Sequence, residues 1–212
     1  MQYWKAHFRD ALHDADIEII NTEEDYGTEP LSFTLDDVTF CGTSLGDLHL
    51  KDDTQYREAS KKFSLLKWGG HHSKFSSPYL YDLQGYELEV EIPVHVLRKS
   101  DEQLIPGSLF LSFKFIDRDG SKSRVILMCD DTRVYPDDVS VREFSLSVDG
   151  SCYKSAAKTL RFEAALEDIC RQIKDSYSIK CCFTCQYSDY SPYGNDDYGT
   201  MLCFCRHKSY CL

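Results

Sequence analysis

No stretch of this chain approaches the roughly 18 consecutive apolar residues that a membrane-spanning helix needs, which excludes that class of membrane protein. The opening residues 1–10 lack the cationic start, apolar centre and small-residue cleavage site of a secretory leader. The chain is therefore expected to be cytoplasmic, with reduced thiols. A glycine-rich phosphate loop, an HExxH helix, a nucleophile elbow and a dinucleotide fingerprint are all missing, which removes the enzyme classes legible from short motifs. None of the seven histidines is followed two residues later by Glu, so the zinc deaminase pattern is excluded as well. Internal repeats and low-complexity tracts are also lacking.

Acid and cysteine, by contrast, are abundant. The formal net charge is −11, and its distribution is one-sided. Residues 1–60 carry four Lys or Arg against fourteen Asp or Glu, while the remaining 152 residues carry 20 against 21. An acidic third repels phosphate backbones and suits a basic protein surface, so nucleic acid is not expected as a partner and a basic protein is. Acidic surface also serves plain solubility.

Six of the ten cysteines crowd the last 32 residues. Cys182 and Cys185 form a CxxC pair, and Cys203 and Cys205 follow after a loop containing Pro192, Gly194 and Gly199. Two thiolates two residues apart can meet one cation from a tight turn, and a second pair 10 to 20 residues on closes a tetrahedron. The expected set is Cys182, Cys185, Cys203 and Cys205, with His207 and Cys211 as alternatives for the fourth position; free or bridged thiols are the metal-free alternative. A thiolate-rich site of this kind is normally closed, so the zinc is expected to be structural, stapling a tail too short to bury its own core. The scattered Cys41, Cys129, Cys152 and Cys170 read as small buried hydrophobes. The adjacent His71 and His72 would point to opposite faces of an extended chain and do not form a joint ligand pair.

Hydrophobic periodicity sets the fold class. Tyr86, Leu88, Val90, Ile92 and Val94 alternate with polar residues, as a half-buried strand does, and Pro93 points to an edge or a bulge. Residues 109–115, 125–129 and 144–148 read as further strands, with a turn at 117–120. In the first 85 residues, Trp4, Ala6 and Phe8 favour a strand, and short strands are expected within 17–20, 31–40 and 63–68. Phe162, Ala165, Leu166, Ile169 and Ile173 recur at steps of three and four, the apolar stripe of one amphipathic helix over about 160–175. The expected fold is α+β and mostly β: an antiparallel, sandwich-like sheet with one C-terminal helix, followed by the cysteine knuckle. The expected organisation is a β-rich domain over 1–176 and the knuckle over 177–212.

The tail string from Cys182 through Cys185, Tyr187, Asp189, Tyr190 and Pro192 to Gly194, followed by Cys203-Phe-Cys-Arg206, resembles the C-terminal signature of an uncharacterised bacterial family of about 200 residues. The segment Leu160 to Asp168 fits the same pattern. The resemblance implies a bacterial origin and brings no activity with it. Charge and motif content together point to a non-enzymatic protein-binding module, of immunity or antitoxin type, that meets a basic partner through its acidic surface. The alternative is a hydrolase or transferase with its site in a sheet cleft or at the metal. Base stacking on Tyr187, Tyr190, Tyr193 and Tyr198 is the weakest reading, because the tail's few cations are matched by acids.

Overall fold

The computed structural model describes residues 1–22, 29–43, 45–46, 48–69, 79–115, 127–129, 132–134, 139–156, 162–181, 188–190 and 201–203. The chain forms two compact units, each built from two stretches: Met1–Val90 with Ser112–Arg142, and Glu91–Leu111 with Glu143–Leu212. Every strand register described is antiparallel, and the described helices are short, so the expected mostly-β α+β class is what forms. No helix among the described residues is long and apolar enough to cross a membrane.

The first unit begins with a hairpin of β1 (Gln2–Arg9) and β2 (Asp14–Asn21), in register from Gln2↔Asn21 to Arg9↔Asp14. Trp4, Ala6 and Phe8 are buried and the residues between them are not, the period-two signature that the sequence carries. Asp10 closes the turn by accepting from the backbone N–H groups of Leu12 (2.8 Å) and His13 (2.7 Å).

β3 (Leu31–Leu35) and β4 (Val38–Gly42) form a second hairpin where the sequence pattern predicts one strand region. The break is made by Asp36 and Asp37, whose φ angles of 49° and 65° are both left-handed. A two-residue turn with two positive φ values matches the twist of its strands, and Asp tolerates that region better than most residues. β5 (His49–Leu50), the short helical segment Asp53–Gln55, α1 (Tyr56–Ala59), β6 (Leu65–Gly69) and β7 (Tyr79–Leu83) follow.

Two long strands, β8 (Glu87–Arg98) and β9 (Gln103–Phe115), contribute residues to both units. In the first unit the strand order is β9-β8-β1-β2-β3-β4-β5-β7-β6. The short pair β10 (Leu127–Cys129) and β11 (Thr132–Val134) stands apart from that sheet. The core is aromatic. Phe8 stacks on Tyr86 at 5.5 Å, Tyr86 on Phe115 at 4.4 Å and Phe33 on Phe40 at 5.2 Å, while Phe63 meets Phe40 edge-on at 5.0 Å.

β12 (Val139–Val148) begins in the first unit and continues in the second, where it turns through Asp149 and Gly150, both at positive φ, into β13 (Ser151–Lys154). α2 (Phe162–Ile173) buries Ala165, Leu166, Ile169 and Ile173, the stripe read from the sequence. After it, β14 (Tyr177–Ile179) pairs with Val96–Arg98 of β8. β8, which carries Pro93, is not an outer strand of the sheet: it lies between β9 and β1 in the strand order. The last described pair is β15 (Ser188–Tyr190) with β16 (Met201–Cys203). The turn expected at 117–120 and the His71–His72 pair lie outside the described residues.

Candidate metal centre

Of the expected zinc ligands, Cys182, Cys185 and Cys205 lie outside the described residues, as do His207 and Cys211. Cys203 ends β16, its backbone opposite Ser188.

Among the described residues, metal-ligating side chains converge in the first unit, at Glu29, Cys41 and His49. The elements explain the meeting. Phe40 and Leu50 face each other across β4 and β5, and Phe40 belongs to the aromatic core. Strand alternation then turns the next pair, Cys41↔His49, to the opposite face of the sheet. Glu29 stands just before β3, where the Thr22 N–H donates to the Pro30 carbonyl at 2.9 Å and fixes the incoming chain beside β2.

The cluster is tight. Cys41 Sγ donates to Glu29 Oε2 at 3.0 Å, His49 Nε2 lies 3.0 Å from Glu29 Oε1, and Sγ and Nε2 are 3.6 Å apart. Cys41 is 2% exposed and His49 8%, while the Glu29 side chain keeps 25% of its surface. Around a tetrahedral zinc, bonds of ~2.3 Å to sulfur and ~2.0 Å to nitrogen or oxygen set ligand separations of about 3.5 Å for S–N and S–O and about 3.3 Å for N–O. The observed triangle is the same within about half an ångström, contracted on the two edges that meet Glu29, as hydrogen bonds in place of a metal would make it.

Sulfur, imidazole nitrogen and carboxylate oxygen together select a borderline cation such as zinc over calcium or magnesium, which take oxygen alone. Both partners approach the same nitrogen of His49. A cation held by the three groups would take the place of the thiol hydrogen that Cys41 donates to Glu29.

A family model described as a family of unknown function (DUF6304) matches residues 2–188. The chain belongs to the DUF6304 family. The matched span of DUF6304 includes Glu29, Cys41 and His49, together with Cys182 and Cys185, whereas Cys203 and Cys205 fall after it. Membership in a family of unknown function agrees with the expectation of an uncharacterised family of about this length, while most of the tail signature lies beyond the matched span. No curated protein and no solved structure matches the chain.

Sequence reading missed this trio because Cys41 passed for a buried hydrophobe and His49 drew no notice. The one available signal was parity. Once Phe40 is assigned to the core face, Cys41 must face away from it, where a fully buried thiol needs a covering partner.

The acidic first third is also less one-sided in space than in sequence. The outward row of β2, Asp14, Asp16 and Glu18, lies opposite Arg9, His7 and Lys5 of β1. Arg9 Nε donates to Asp14 at 3.0 Å, and His7 contacts Asp16 through Nδ1 and Asp14 through Nε2, each at 2.8 Å. The hydrogen bond to Asp16, ahead of the burial that opposes it, holds the His7 pKa above its ordinary value. Asp14 is held below its own, chiefly by Arg9. Glu87 on β8 gathers Arg142 at 2.8 Å, Lys114 at 3.2 Å and Arg9 at 3.9 Å. Burial pushes the Glu87 carboxyl up, and its hydrogen bonds to Lys114 and Arg142 outweigh this, leaving it below the usual range. Acidic and basic rows thus alternate strand by strand across this face.

Proposed function

We propose that the protein is a zinc-dependent, non-enzymatic binding module in which Glu29, Cys41 and His49 take one zinc ion in the first unit. The observation that carries the reading is the convergence at zinc-like separations of Sγ and Nε2, from two buried residues on paired strands, with a carboxylate oxygen from the segment before β3. The ion would tie the segment before β3 to β4 and β5, supplying folding energy where the sheet has only two-residue pairing in β5. The tail set Cys182, Cys185, Cys203 and Cys205 stands as a second, structural zinc site, supported by its spacing and by the resemblance of that tail to a family signature.

The test is metal analysis of the purified full chain together with two variants. Cys41→Ser should lose one equivalent of zinc, and the double variant Cys182→Ser/Cys185→Ser should lose a separate one. A Cys41→Ser protein retaining the full wild-type metal content would refute the first-unit site. The partner reading rests on carboxylates such as Asp16, whose side chain is 94% exposed. A basic protein captured from the native host should be released by raised salt. Capture unchanged at high salt would count against acidic steering.

A thiol hydrolase or transferase is the second reading, favoured by the 3.6 Å approach of Cys41 Sγ to His49 Nε2, a nucleophile–base distance for sulfur. Glu29 argues against it, since the Cys41 thiol donates its hydrogen to this carboxylate at 3.0 Å rather than to the imidazole that would act as base. Alkylation of native protein separates the two readings. Slow labelling of Cys41 that accelerates on chelation supports the metal, and fast labelling with no metal present supports the nucleophile.

A further inference from the structure

We infer that zinc at the first-unit site is exchangeable: it enters and leaves at Glu29, by rotation of that side chain, while Cys41 and His49 keep their places. The inference rests on the metal reading and adds the route and the regulation of the same site. Its occupancy follows the zinc offered or withdrawn by a chelating molecule in solution, without unfolding of the sheet.

The three groups differ in how they are held. Cys41 and His49 are buried and directly opposed on β4 and β5. On its other side β4 pairs with β3 through Ser32↔Cys41, and β5 pairs with β7 through His49↔Asp82. Both residues are thus interior to a ladder of four strands, and close packing keeps a buried side chain near one rotamer. Glu29 is held only by its backbone. The Thr22 N–H and the Thr22 hydroxyl both donate to the Pro30 carbonyl, at 2.9 and 3.3 Å, and Leu31 pairs with Asn21. Beyond that anchor the carboxylate sits at the end of a flexible side chain that keeps contact with solvent.

That carboxylate also lies across both of its partners, with Oε2 accepting from Cys41 Sγ and Oε1 beside His49 Nε2. An ion coming from solvent therefore meets Glu29 first, and a departing ion passes it last. Rotation of a partly exposed side chain takes about picoseconds to nanoseconds, whereas local opening of paired strands takes about microseconds or longer. The Glu29 route is the faster one on that scale. It is also the weaker bond, because thiolate and imidazole suit zinc better than carboxylate does. In the exchange step a nitrogen or oxygen of the acceptor bonds to zinc as the zinc–Glu29 bond breaks, and the carboxylate leaves as the anion. Further acceptor atoms then replace His49 and Cys41. The Cys41 thiolate finally takes a proton from water and donates it to Glu29, the hydrogen bond described above.

Stopped-flow transfer of zinc from the loaded full chain to an excess of a chromophoric pyridylazo chelator tests this. The phase that belongs to the site is the one that Cys41→Ser abolishes. In wild type its rate should rise in proportion to chelator concentration. Glu29→Gln, which keeps the shape and removes the charge, should release zinc several-fold faster. Glu29→His, with a stiffer side chain and a better donor for zinc, should release it several-fold more slowly. A rate independent of chelator concentration, or a Glu29→Gln rate equal to wild type, overturns the Glu29 route and leaves the metal site standing. A wild-type protein without any zinc that depends on Cys41 overturns the metal reading and the route together. Should Glu29→Gln hold no zinc, Glu29→His decides: slower release supports the route, and release at the wild-type rate overturns it.

Discussion

Replacing Phe8 with alanine removes the ring on which the aromatic core of the first unit is centred. Phe8 is fully buried and lies within 5.5–6.4 Å, centroid to centroid, of Phe33, His13, Phe63 and Tyr86. These neighbours come from four parts of the chain, and each is held by its own backbone pairing, so collapse into the vacated space is limited. A buried Phe→Ala change costs about 3–5 kcal/mol. The ring–ring attraction that disappears with the side chain, worth about 0.5–1.5 kcal/mol per pair beyond area burial, places this one toward the upper end. With a urea slope of about 2 kcal/mol per molar, the midpoint should fall by roughly 1.5–2.5 M. Tryptophan fluorescence reads the right unit, because Trp4 and Trp68 both belong to it and are the chain's two tryptophans. Tyr3→Ala is the control on the same strand. Its side chain points outward and is 53% exposed, so its cost should stay within about 0.5 kcal/mol. A Phe8→Ala midpoint within about 0.5 M of wild type, or a Tyr3→Ala loss equal to it, would refute this account of the core.

The His7 cluster makes the stability of the first unit depend on pH in a stated direction. A His whose folded pKa lies above its ordinary 6.5 adds stability that is fully present below that value and is lost as pH rises through the folded pKa. Asp14, held below its ordinary value, adds stability present above that value and lost as pH falls through its lowered folded pKa. The urea midpoint should therefore decline from pH 6 toward pH 8, and His7→Gln should remove that decline; a variant with the wild-type slope would show the cluster to be energetically idle. Gly150→Ala tests the β12–β13 turn. The φ of +75° disfavours any side chain, yet nothing lies within 4 Å of an added Cβ, so the loss should be backbone strain alone, about 1 kcal/mol. A thermal midpoint in Gly150→Ala equal to wild type would contradict the left-handed turn.

The parts of the fold that sequence reading reached are those written in short-range pattern. The alternation of Trp4, Ala6 and Phe8 predicts β1, and the stripe from Ala165 to Ile173 predicts the buried face of α2. The Asp36–Asp37 turn was missed because its residues are ordinary surface acids without the glycine or asparagine that usually marks two positive φ values. Strand order was not legible either. The approach of β14 to the far end of β8 joins residues about eighty positions apart, and no local pattern carries that. The tail drew attention because a CxxC spacing is a local motif whose geometry follows from one tight turn. Cys41 and His49 are eight residues apart only because of the particular connection between β4 and β5, and a different loop length would make the same site with a different spacing. Glu29 is further removed, brought in by the strand that follows it. Sites built across paired strands leave no fixed interval in the sequence; the trace they leave is the parity of each residue against the core.

The charge reading shows the same limit from the other side. Counting fourteen acids against four Lys or Arg in residues 1–60 treats histidine as a bystander. In the folded chain all three histidines of that segment sit against carboxylates: His7 on Asp14 and Asp16, His13 on Asp10 and Asp36, and His49 on Glu29. The three differ in what else they meet. His7 is paired with exposed acids and serves the surface of the hairpin. His13 lies flat on Phe63 at 4.6 Å while Asp10 holds the β1–β2 turn, so it serves as a clasp. Of the three, only His49 has a sulfur beside its carboxylate. Oxygen and nitrogen alone at an exposed hairpin are satisfied by a proton. Adding a buried thiol changes the preferred occupant, because a borderline cation bonds to sulfur far better than a proton shared between His and Glu can. Under the proposed reading, Cys41 is therefore the residue that sets a metal centre apart from an ordinary ion pair.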